Sequence, residues 1–417
     1  MQRFDEAAFS RRGFLAGAGG GLAMSSGLVL PGGPALAQGP IGSAGAAATQ
    51  DAPRAVGRPQ PRMEKEMPEP PGRRLGYAIV GLGKFALNQI IPAFAEAKHA
   101  KLAALVSGDR AKADKVAQVY GVDPGAIYDY GTFDRIADNR AVDIVYVITP
   151  NALHPEFTLR AFAAGKHVLC EKPMAPTAAD CERMIAAGRQ AGRKLMIAYR
   201  AQYEPFNLEA MRLARAGDLG TIRYVTSDHG RPLDPKDPAD QWRMVKSLAG
   251  GGSLYDIGIY SLQAARYMTG EEPIEVQAFI SSPEGDPRFR EVEDLCAFQL
   301  RFPSGALASL SSSYSTASVK RFQVFGSKAS LVLDPATEYY KHELVLKTEK
   351  EERKPEIEEG NQFALQMDHF AQAVMENREP KTPGEEGLRD VRIMQAVYQA
   401  AATGRPVGLD ATGSLKR

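Results

Sequence analysis

A glycine-rich turn, Gly81-Leu82-Gly83-Lys84-Phe85-Ala86, lies between a short apolar run and a segment with helical periodicity. Glycines at this spacing permit a tight turn and let the backbone approach a pyrophosphate, which then lies at the N-terminus of the following helix. A turn of this kind can also be purely structural. Its position after the first apolar run and before the first helix favours dinucleotide binding by Gly81, Gly83 and Ala86.

The end of the second predicted strand indicates which dinucleotide would bind. In NAD-specific folds of this type, an acidic residue there accepts a hydrogen bond from the adenosine ribose. This strand instead ends in Ser107 and Gly108, and Arg110 and Lys112 follow. A hydroxyl and two cations suit a ribose 2′-phosphate, whereas Asp109 lies past the strand end and beside those cations. The sequence therefore favours NADP.

Polar residues also follow two later predicted strands. Glu171 and Lys172 come directly after the strand at residues 167–170, and the preceding strand is followed by Pro150 and Asn151, with His154 one turn into the next helix. Ligands bind at the carboxyl ends of the strands in open α/β sheets, so these side chains would line one rim. A Glu-Lys pair can also simply face solvent, and a helix histidine can equally be a buried, hydrogen-bonded side chain.

These residues depend on a regular alternation of strands and helices. Apolar runs typical of buried strands occur at residues 75–80, 101–107, 142–149, 167–170 and 194–199, and helical periodicity occurs at residues 85–98, 110–120, 151–164 and 177–191. Alternating strands and helices indicate a parallel sheet covered on both faces. We therefore predict an α/β, Rossmann-type dinucleotide-binding domain at residues 75–200.

The alternation stops after Tyr199, which indicates a second domain at residues 201–417. A helix at residues 206–216 is followed by a glycine-rich turn and a helix up to residue 268, on which Asp256 and Tyr260, four apart, share one face. Strand-like segments at hairpin spacing fill residues 274–333, and helices follow at residues 362–376 and 387–401. We predict an α+β domain with an open, mainly antiparallel sheet, and a last helix that packs back on the first domain.

Composition narrows the classes of function. The chain has 417 residues, with 51 Lys and Arg against 50 Asp and Glu, so its formal charge of +1 offers no general attraction for nucleic acid or an anionic membrane. Its three cysteines, Cys170, Cys181 and Cys296, are too few and too scattered for a disulfide framework or a four-ligand zinc site. We expect neither a metal site nor a nucleic-acid partner.

The first 37 residues have the order of an export signal. Ser10-Arg11-Arg12-Gly13-Phe14-Leu15 is a twin-arginine pattern, and a Gly/Ala-rich apolar run and the small residues of Ala35-Leu36-Ala37 follow. A membrane-spanning helix is the alternative, but the run contains many glycines and serines and ends at Pro31. We expect cleavage after Ala37 and a periplasmic location, reached by a route that carries folded proteins, often with a cofactor inside.

Residues 38–74 form a proline-rich segment between the signal and the first domain. Residues 31–74 hold nine of the 28 prolines, and residues 42–74 contain no Leu, Ile or aromatic residue. Such a segment cannot form its own core, and its prolines favour extended polyproline geometry. Composition alone fits a spacer or an arm laid over another surface.

The combined motifs Gly81-x-Gly83-x-x-Ala86, Glu171-Lys172-Pro173 and Gly251-Gly252-Ser253-Leu254-x-Asp256-Ile257-Gly258-Ile259-Tyr260 resemble the glucose-fructose oxidoreductase, inositol dehydrogenase and MocA family. The resemblance is strongest to its periplasmic glucose-fructose oxidoreductase branch and runs from about residue 73 to about residue 409. It implies that the cofactor is bound by Gly81, Gly83, Lys84, Phe85, Ala86, Leu87, Ser107, Lys112, Tyr130, Pro150, Asn151, His154, Glu171, Lys172, Trp242, Arg243 and Tyr339.

The resemblance also implies that Lys172, Asp256 and Tyr260 are catalytic, with Tyr260 where much of the family has histidine. A phenol, with an unperturbed pKa of about 10, is a poor base at neutral pH. The Lys172 ammonium and the oxidised nicotinamide would both favour the phenolate, so Tyr260 would be the base in one half-reaction and the acid in the other. Asp256 would hold substrate hydroxyls or orient Lys172. Without these neighbours, Tyr260 would be read as a core aromatic.

The implied activity is that of a homo-oligomeric sugar oxidoreductase that keeps its NADP(H). One aldose is oxidised at C1 to its lactone and leaves, and a second sugar, fructose or another aldose, is then reduced. A dehydrogenase that releases its cofactor is one alternative. A non-catalytic nucleotide- or sugar-binding module is another, and the presence of Lys172 and Tyr260 argues against it. Neither nucleic acid nor stable membrane association is expected.

The resemblance further implies that the proline-rich arm crosses a neighbouring subunit and covers the adenine side of the nucleotide. A polyproline segment loses little conformational freedom on docking. Deletion of the residues before Arg73 should therefore weaken the oligomer and speed NADP loss, while both domains stay folded. Light-scattering mass and cofactor occupancy after prolonged dialysis measure these effects, and values equal to those of the mature protein would make the arm a spacer.

Overall fold

The computed structural model describes residues 72–416. The export signal predicted at residues 1–37 and nearly all of the arm predicted at residues 38–74 lie outside them. Within the described residues, no helix combines the length and the apolar character needed to cross a membrane. The described chain contains two sheets, and some of its helices pack against both of them.

The first sheet consists of six parallel strands: β1 (Leu75–Val80), β2 (Ala100–Val106), β3 (Ile127–Tyr128), β4 (Ile144–Val147), β5 (His167–Cys170) and β6 (Leu195–Ile197). Their order, β3-β2-β1-β4-β5-β6, reverses direction between β1 and β4. Ligands of doubly wound sheets bind in the crevice at this reversal. Every residue of β1 is buried, as expected for a sheet covered on both faces.

Four helices connect these strands: α1 (a π-helical turn Ala86–Ile90 continued by Ile91–Ala93), α2 (Arg110–Tyr120), α3 (His154–Ala163) and α4 (Ala178–Ala191). The side chain of Asp109 accepts a hydrogen bond at the start of α2, and that of Thr177 does the same for α4. Short polar side chains at these positions satisfy amides that have no partner within the helix.

The first helix is shorter than predicted. The sequence favoured a helix over residues 85–98, whereas α1 ends at Ala93. The amides of Lys98 and His99 instead donate to the carboxylate of Asp368, at 2.7 and 2.6 Å. This carboxylate lies 270 positions beyond Lys98 along the chain, and it draws the segment out of the helix. Local periodicity contains no sign of such a distant partner.

The second sheet has nine strands: β7 (Ile222–Gly230), β8 (Glu275–Ser281), β9 (Leu295–Arg301), β10 (Leu307–Ser313), β11 (Val319–Gly326), β12 (Ala329–Leu333), β13 (Leu344–Thr348), β14 (Glu352–Arg353) and β15 (Val407–Gly408). Their order is β14-β13-β12-β11-β7-β10-β9-β8-β15, and only β7 and β10 pair in parallel. Burial alternates along β9, with Cys296, Phe298 and Leu300 facing inward. This open, mostly antiparallel sheet and the parallel first sheet confirm the predicted fold class.

The second half of the chain adds six helices: α5 (Pro205–Arg215), α6 (Pro238–Gln241), α7 (Lys246–Ala249), α8 (a π-helical turn Leu254–Gly258 continued by Ile259–Thr269), α9 (Gln362–Met375) and α10 (Gly384–Thr403). Helix α10 lies against the first sheet's layer, where Arg392 pairs with Glu182 of α4 at 2.7 Å. Just before α10, the Thr382 carbonyl accepts from the Ile197 amide of β6 at 2.8 Å. The last helix therefore packs on the first domain.

Helix α8 carries Asp256 and Tyr260 and is held at both ends. At its start, the Glu293 carboxylate accepts from the amides of Gly252 and Leu254, at 2.8 and 2.9 Å. A Cβ at Gly252 would lie 2.0 Å from the Glu293 carbonyl oxygen, so this close seat requires glycine. Near its end, the buried Arg266 bonds to Asp390 of α10 at 2.5 Å. Helix α8 is thereby fixed to the helix that packs on the first domain.

Candidate active site

The two domains meet in a polar contact at Lys172, which follows β5. Its Nζ donates to the main-chain carbonyl of Asp256 on α8 and lies 3.6 Å from the Asp256 Oδ1. The two side chains are only 11% and 15% exposed, so the pair is largely removed from water. An ionic contact in such surroundings is much less screened than one at the surface. The structure therefore brings together two of the three predicted catalytic residues, from different domains.

The Asp256 carboxylate is surrounded by further donors. Its Oδ2 accepts from Arg243 Nε at 2.8 Å and from Tyr314 Oη at 3.0 Å, and Arg231 lies 3.5 Å away. Burial opposes ionisation of this carboxyl, yet the charges of Arg243, Lys172 and Arg231 outweigh burial and hold its pKa well below the ordinary value. These contacts are compatible with the predicted role of Asp256 in orienting Lys172, and that role and the alternative of holding substrate hydroxyls both stay predictions.

Tyr260 lies one turn further along α8, beside the same lysine. The Lys172 Nζ is 4.6 Å from the centre of the Tyr260 ring, and Arg200 Nε donates to the Tyr260 Oη at 3.2 Å. His229 stacks on the ring, with 5.5 Å between ring centres and an interplanar angle of 26°. Burial, with the charges of Lys320 and Arg200, lowers the pKa of His229 to about 3, so this neighbour is neutral.

The glycine-rich turn after β1 has the shape that a dinucleotide requires. Gly81 has φ +99°, and a Cβ there would lie 2.7 Å from the Ile148 carbonyl oxygen. Gly83 is exposed, and a Cβ there would meet no atom within 4 Å, so its backbone is open on the side a ligand would approach. Ala86 is fully buried where α1 packs on the sheet. The turn thus fits a pyrophosphate placed over Gly83, at the reversal of strand order.

The predicted adenosine-binding residues lie at the ends of β2 and β3. Ser107 is buried, and its Oγ accepts from the Asp109 amide at 3.1 Å. The Asp109 carboxylate accepts from the Lys112 amide at 2.9 Å and caps α2. The Oδ1 of Asp109 is therefore engaged in a helix cap, and its Oδ2 lies 4.0 Å from the Lys112 Nζ, so the strand end presents the Ser107 hydroxyl beside an Asp109–Lys112 ion pair. Tyr130 is half-buried nearby and packs against Phe157.

The rim after β4 is positioned by His154, which is fully buried. Its two ring nitrogens lie 2.8 Å from the Thr149 carbonyl and 3.0 Å from the Pro173 carbonyl, so both face the main chain, and the single N–H of the neutral ring donates to one of these carbonyls. Burial lowers its pKa to about 4. His154 therefore joins the end of β4 to the loop after Lys172. Pro150 lines the rim half-buried, and the buried Asn151 side chain donates to the Ala249 carbonyl at 2.8 Å.

Glu171 lies behind the lysine that follows it. Its carboxylate accepts from Tyr146 Oη at 2.7 Å and from the Lys172 amide at 3.1 Å, and Tyr146 in turn accepts from Gln366 at 3.2 Å. Burial raises the pKa of Glu171. These bonds fix the main chain at Lys172, so Glu171 supports the site from beneath.

Aromatic and charged side chains connect the glycine-rich turn to the second domain. Phe85 lies 6.1 Å from Tyr339, ring centre to ring centre, and Lys84 pairs with Asp237 at 3.0 Å. Trp242 is half-buried beneath the Arg243 guanidinium, whose central carbon is 4.3 Å from the indole centre. Leu87 is half-buried one turn into α1. The segment bearing Asp237 and Trp242 therefore crosses from the second domain to the rim of the nucleotide site.

Family comparison agrees with this geometry. Residues 75–199 match the model described as oxidoreductase family, NAD-binding Rossmann fold, and residues 212–409 match the model described as oxidoreductase family, C-terminal alpha/beta domain. The chain belongs to the glucose-fructose oxidoreductase, inositol dehydrogenase and MocA family. It is an oxidoreductase, and the family resemblance in the sequence is confirmed.

Several relatives share nearly their whole length with this family member. The D-xylose 1-dehydrogenase (NADP(+)) of Haloarcula marismortui is 34% identical over 342 residues, which are 80% of this chain and 93% of the relative. The aldose-aldose oxidoreductase of Caulobacter crescentus, solved with glycerol, is 52% identical with a TM-score of 0.78, covering 81% of this chain and 100% of that one. A 3-ketoreductase of Actinomadura kijaniata, solved with NADP and TDP-benzene, is 25% identical with a TM-score of 0.70, covering 78% and 98%.

Sequence reasoning missed four residues that contact the predicted catalytic groups: Arg200, His229, Arg231 and Tyr314. Each of them lies at or close to the end of a strand. His229 is near the end of β7, Arg231 and Tyr314 directly follow β7 and β10, and Arg200 lies three residues after β6. The rule that selected Glu171 and Lys172 could therefore have selected Arg200, which follows the predicted strand at residues 194–199.

Other chemistry-bearing residues form no second centre in the described chain. Between residues 72 and 416, no group of three or more His, Cys, Asp or Glu side chains is arranged to hold a metal ion. Cys170, Cys181 and Cys296 are free and buried, and burial raises the pKa of each thiol.

We expect Gly83→Ala to block the nucleotide while leaving the fold intact. The new Cβ meets no protein atom, but it occupies the space that the backbone leaves for a pyrophosphate. Dinucleotide affinity, measured by fluorescence titration, should fall at least about tenfold, which corresponds to about 1.4 kcal/mol. Urea unfolding of the cofactor-free protein should match the unmodified chain.

The matched control is Gly252→Ala, which places the same methyl group 2.0 Å from a backbone oxygen. It should lower the free energy of unfolding, by about 1–3 kcal/mol as for other overpacked sites. Normal dinucleotide affinity in Gly83→Ala would show that the turn does not hold the pyrophosphate.

Proposed function

We propose that this chain is a sugar oxidoreductase that retains NADP(H) and passes a hydride from one sugar to another at a single site. It oxidises an aldose at C1 to the aldonolactone, releases it, and then reduces a second sugar, either fructose to sorbitol or an aldose to its alditol. The observation that carries this proposal is the placement of Tyr260 between Lys172 and Arg200, beside the dinucleotide site.

The choice of NADP over NAD is supported from two directions. At the end of β2 lie the Ser107 hydroxyl and the Lys112 ammonium, together with the Asp109 carboxylate, whose Oδ1 caps α2 and whose Oδ2 lies 4.0 Å from the ammonium. A hydroxyl and a cation suit a 2′-phosphate. The relatives from Haloarcula marismortui and Haloferax volcanii are named as NADP(+) enzymes, with 34% and 31% identity.

The residues of the site account for both halves of the reaction. The dinucleotide supplies the hydride acceptor for the first sugar and the hydride donor for the second. Tyr260 takes the proton of the C1 hydroxyl as the C1 hydrogen leaves with its electron pair, which forms the lactone carbonyl. In the second half, Tyr260 returns that proton to the carbonyl oxygen of the incoming sugar. Lys172, oriented by Asp256, faces the Tyr260 ring and is placed to donate to the sugar oxygen.

The export route and assembly are further parts of the proposal. The twin-arginine pattern at Arg11 and Arg12 supports a periplasmic location, where a retained cofactor has to be recycled in place. The second sheet exposes several large apolar side chains, which supports a homo-oligomer: Tyr224, Phe279, Ile280, Leu295, Leu307 and Phe325. No nucleic-acid partner and no stable membrane association form part of this proposal.

A dehydrogenase with an exchangeable cofactor is the second candidate. Its support is the 34% identity to a D-xylose 1-dehydrogenase, which covers nearly the whole relative. The two candidates share every group in the site and differ in whether the cofactor leaves between turnovers.

The spectrum of the purified mature protein separates these candidates. Without added cofactor, an aldose such as glucose should produce the reduced-nicotinamide absorbance band, and fructose or a second aldose should then remove it. The denatured protein should release NADP or its reduced form. If the desalted protein shows no band until NADP is added, it is the exchangeable dehydrogenase, and if the cofactor released is NAD, the assignment of NADP is wrong.

We expect Tyr260→Phe to bind the cofactor and fold normally while turnover falls by about 100- to 10,000-fold, the usual loss for an acid-base group. Lys172→Met should also impair turnover, because it removes the ammonium over the Tyr260 ring. Stopped-flow absorbance of each half-reaction provides the measurement. The control is Tyr255→Phe on the same helix, which loses only a hydrogen bond to the Pro176 carbonyl and should keep its rate. A near-normal rate in Tyr260→Phe would place the proton transfer elsewhere.

A further inference from the structure

Arg200 is a buried cation whose hydrogen bonds all go to neutral oxygens. It follows Tyr199 at the end of the first sheet and is 6% exposed. Its Nη1 donates to the Gln362 Oε1 at 2.6 Å and to the Glu338 carbonyl at 3.1 Å, and its Nη2 donates to the Thr337 carbonyl at 2.6 Å. Its Nε donates to the Tyr260 Oη at 3.2 Å.

This arrangement leaves the charge of Arg200 without a carboxylate in contact. Within residues 72–416, no Asp or Glu oxygen lies at ion-pair distance from the Arg200 guanidinium. Glu171 attracts it only from further away. Buried charges are normally paired, because an unpaired one loses its hydration without compensation. The group in contact that can become an anion is the Tyr260 hydroxyl.

Lys172 differs from Arg200 in this respect. Its ammonium is bound to the Asp256 main chain and faces the Asp256 carboxylate at 3.6 Å, which offsets part of its charge, although Arg243 and Arg231 share that carboxylate. It also lies over the face of the Tyr260 ring, 4.6 Å from the centre. The hydrogen bond to the Tyr260 oxygen comes from Arg200, which has no carboxylate in contact.

The other groups around Tyr260 do not supply an equivalent charge. His229, stacked on the ring, is neutral, and Tyr339, whose ring centre is 5.0 Å from the Arg200 guanidinium carbon, has a pKa raised by burial to about 12. Lys320 pairs with Glu338 behind them. The titratable and charged groups that surround Tyr260 are thus Lys172, Asp256, Arg200, His229, Tyr339, Lys320 and Glu338, and Glu171 acts on Arg200 and Tyr339 from further away.

We propose that Arg200 is the positioning residue that holds the Tyr260 oxygen and stabilises its phenolate as Tyr260 accepts a proton from the first sugar. This inference rests on the proposed function of Tyr260. The Arg200 bond is accepted by the phenol oxygen in both of its states. After Tyr260 has taken the sugar proton, that oxygen still accepts from Arg200, and its single O–H remains free to donate to the second sugar. Arg200 therefore serves both halves of the reaction without giving up a proton itself.

The first test is the pH dependence of the aldose-oxidising half-reaction, measured as single-turnover reduction of the bound cofactor. The rate should rise with pH as the proton acceptor becomes deprotonated. Arg200→Gln should move this rise to higher pH by about one to three units, the range expected when an opposite charge near an acid is removed. Arg200→Lys, which keeps a charge, should move it less. If Arg200→Gln lowers the rate but the rate still rises at the same pH, the inference is wrong.

The second test alters the charge without removing Arg200. Gln362→Glu places a carboxylate where Arg200 Nη1 now donates to an amide oxygen at 2.6 Å. It should offset the charge of Arg200 and also move the rise to higher pH. This variant tests the inference even if Arg200→Gln fails to fold. If the pH at which the rate rises is the same in Gln362→Glu as in the unmodified protein, the inference is wrong.

A third measurement is independent of activity. The tyrosinate absorbance that Tyr260→Phe removes, recorded against pH, is the titration of Tyr260 itself, and Arg200→Gln should shift it in the same direction as the rate profile. In the Tyr260→Phe background, Arg200→Gln should cause no further loss of rate. An additional loss of tenfold or more would show that Arg200 acts elsewhere. A near-normal rate in Tyr260→Phe alone would instead reject the proposed function.

Discussion

The contact between Lys172 and Asp256 is the interaction on which the rest of the site depends. Lys172 follows a strand of the first sheet, and Asp256 lies in the first turn of the helix that bears Tyr260. Both side chains are largely buried. Their meeting requires the two domains to hold a fixed separation. Helix α8 achieves this because Glu293 holds its start and Asp390 holds its far end. The position of Tyr260, the proposed acid-base residue, is therefore set by long-range packing.

Two sets of charged groups flank Tyr260. On one side, three cations, Lys172, Arg243 and Arg231, share the Asp256 carboxylate, which offsets only part of their charge. On the other side, Arg200 lies among neutral oxygens and donates to the Tyr260 oxygen. The shared carboxylate fixes the geometry of Lys172, and Arg200 is proposed to stabilise the phenolate with which Tyr260 acts as a base.

Much of this arrangement follows from local sequence. The glycine-rich turn, the Ser107 strand end and the Glu171-Lys172 pair were found because the pattern of apolar residues predicts where parallel strands end. Contacts between residues far apart in the chain could not be predicted in this way. The sequence near His154 does not show that its two ring nitrogens face backbone carbonyls. The sequence near residue 98 does not show that its amide donates to the Asp368 carboxylate. The position of Arg200 after a predicted strand could have been noticed, but its partners come from residues 260, 337, 338 and 362, so its contact with Tyr260 could not be predicted.

Transfer of label between the two sugars tests the proposed hydride relay most directly. The mature protein, carrying the cofactor with which it was purified, is given an aldose with deuterium at C1 and then an unlabelled second sugar, in the presence of excess unlabelled free NADPH as a trap. Mass spectrometry of the reduced sugar should find the deuterium undiluted by the trap, because the same bound cofactor accepts and donates the hydride. Deuterium diluted into the free NADPH pool, or a second sugar without label, would contradict a relay at a single retained cofactor.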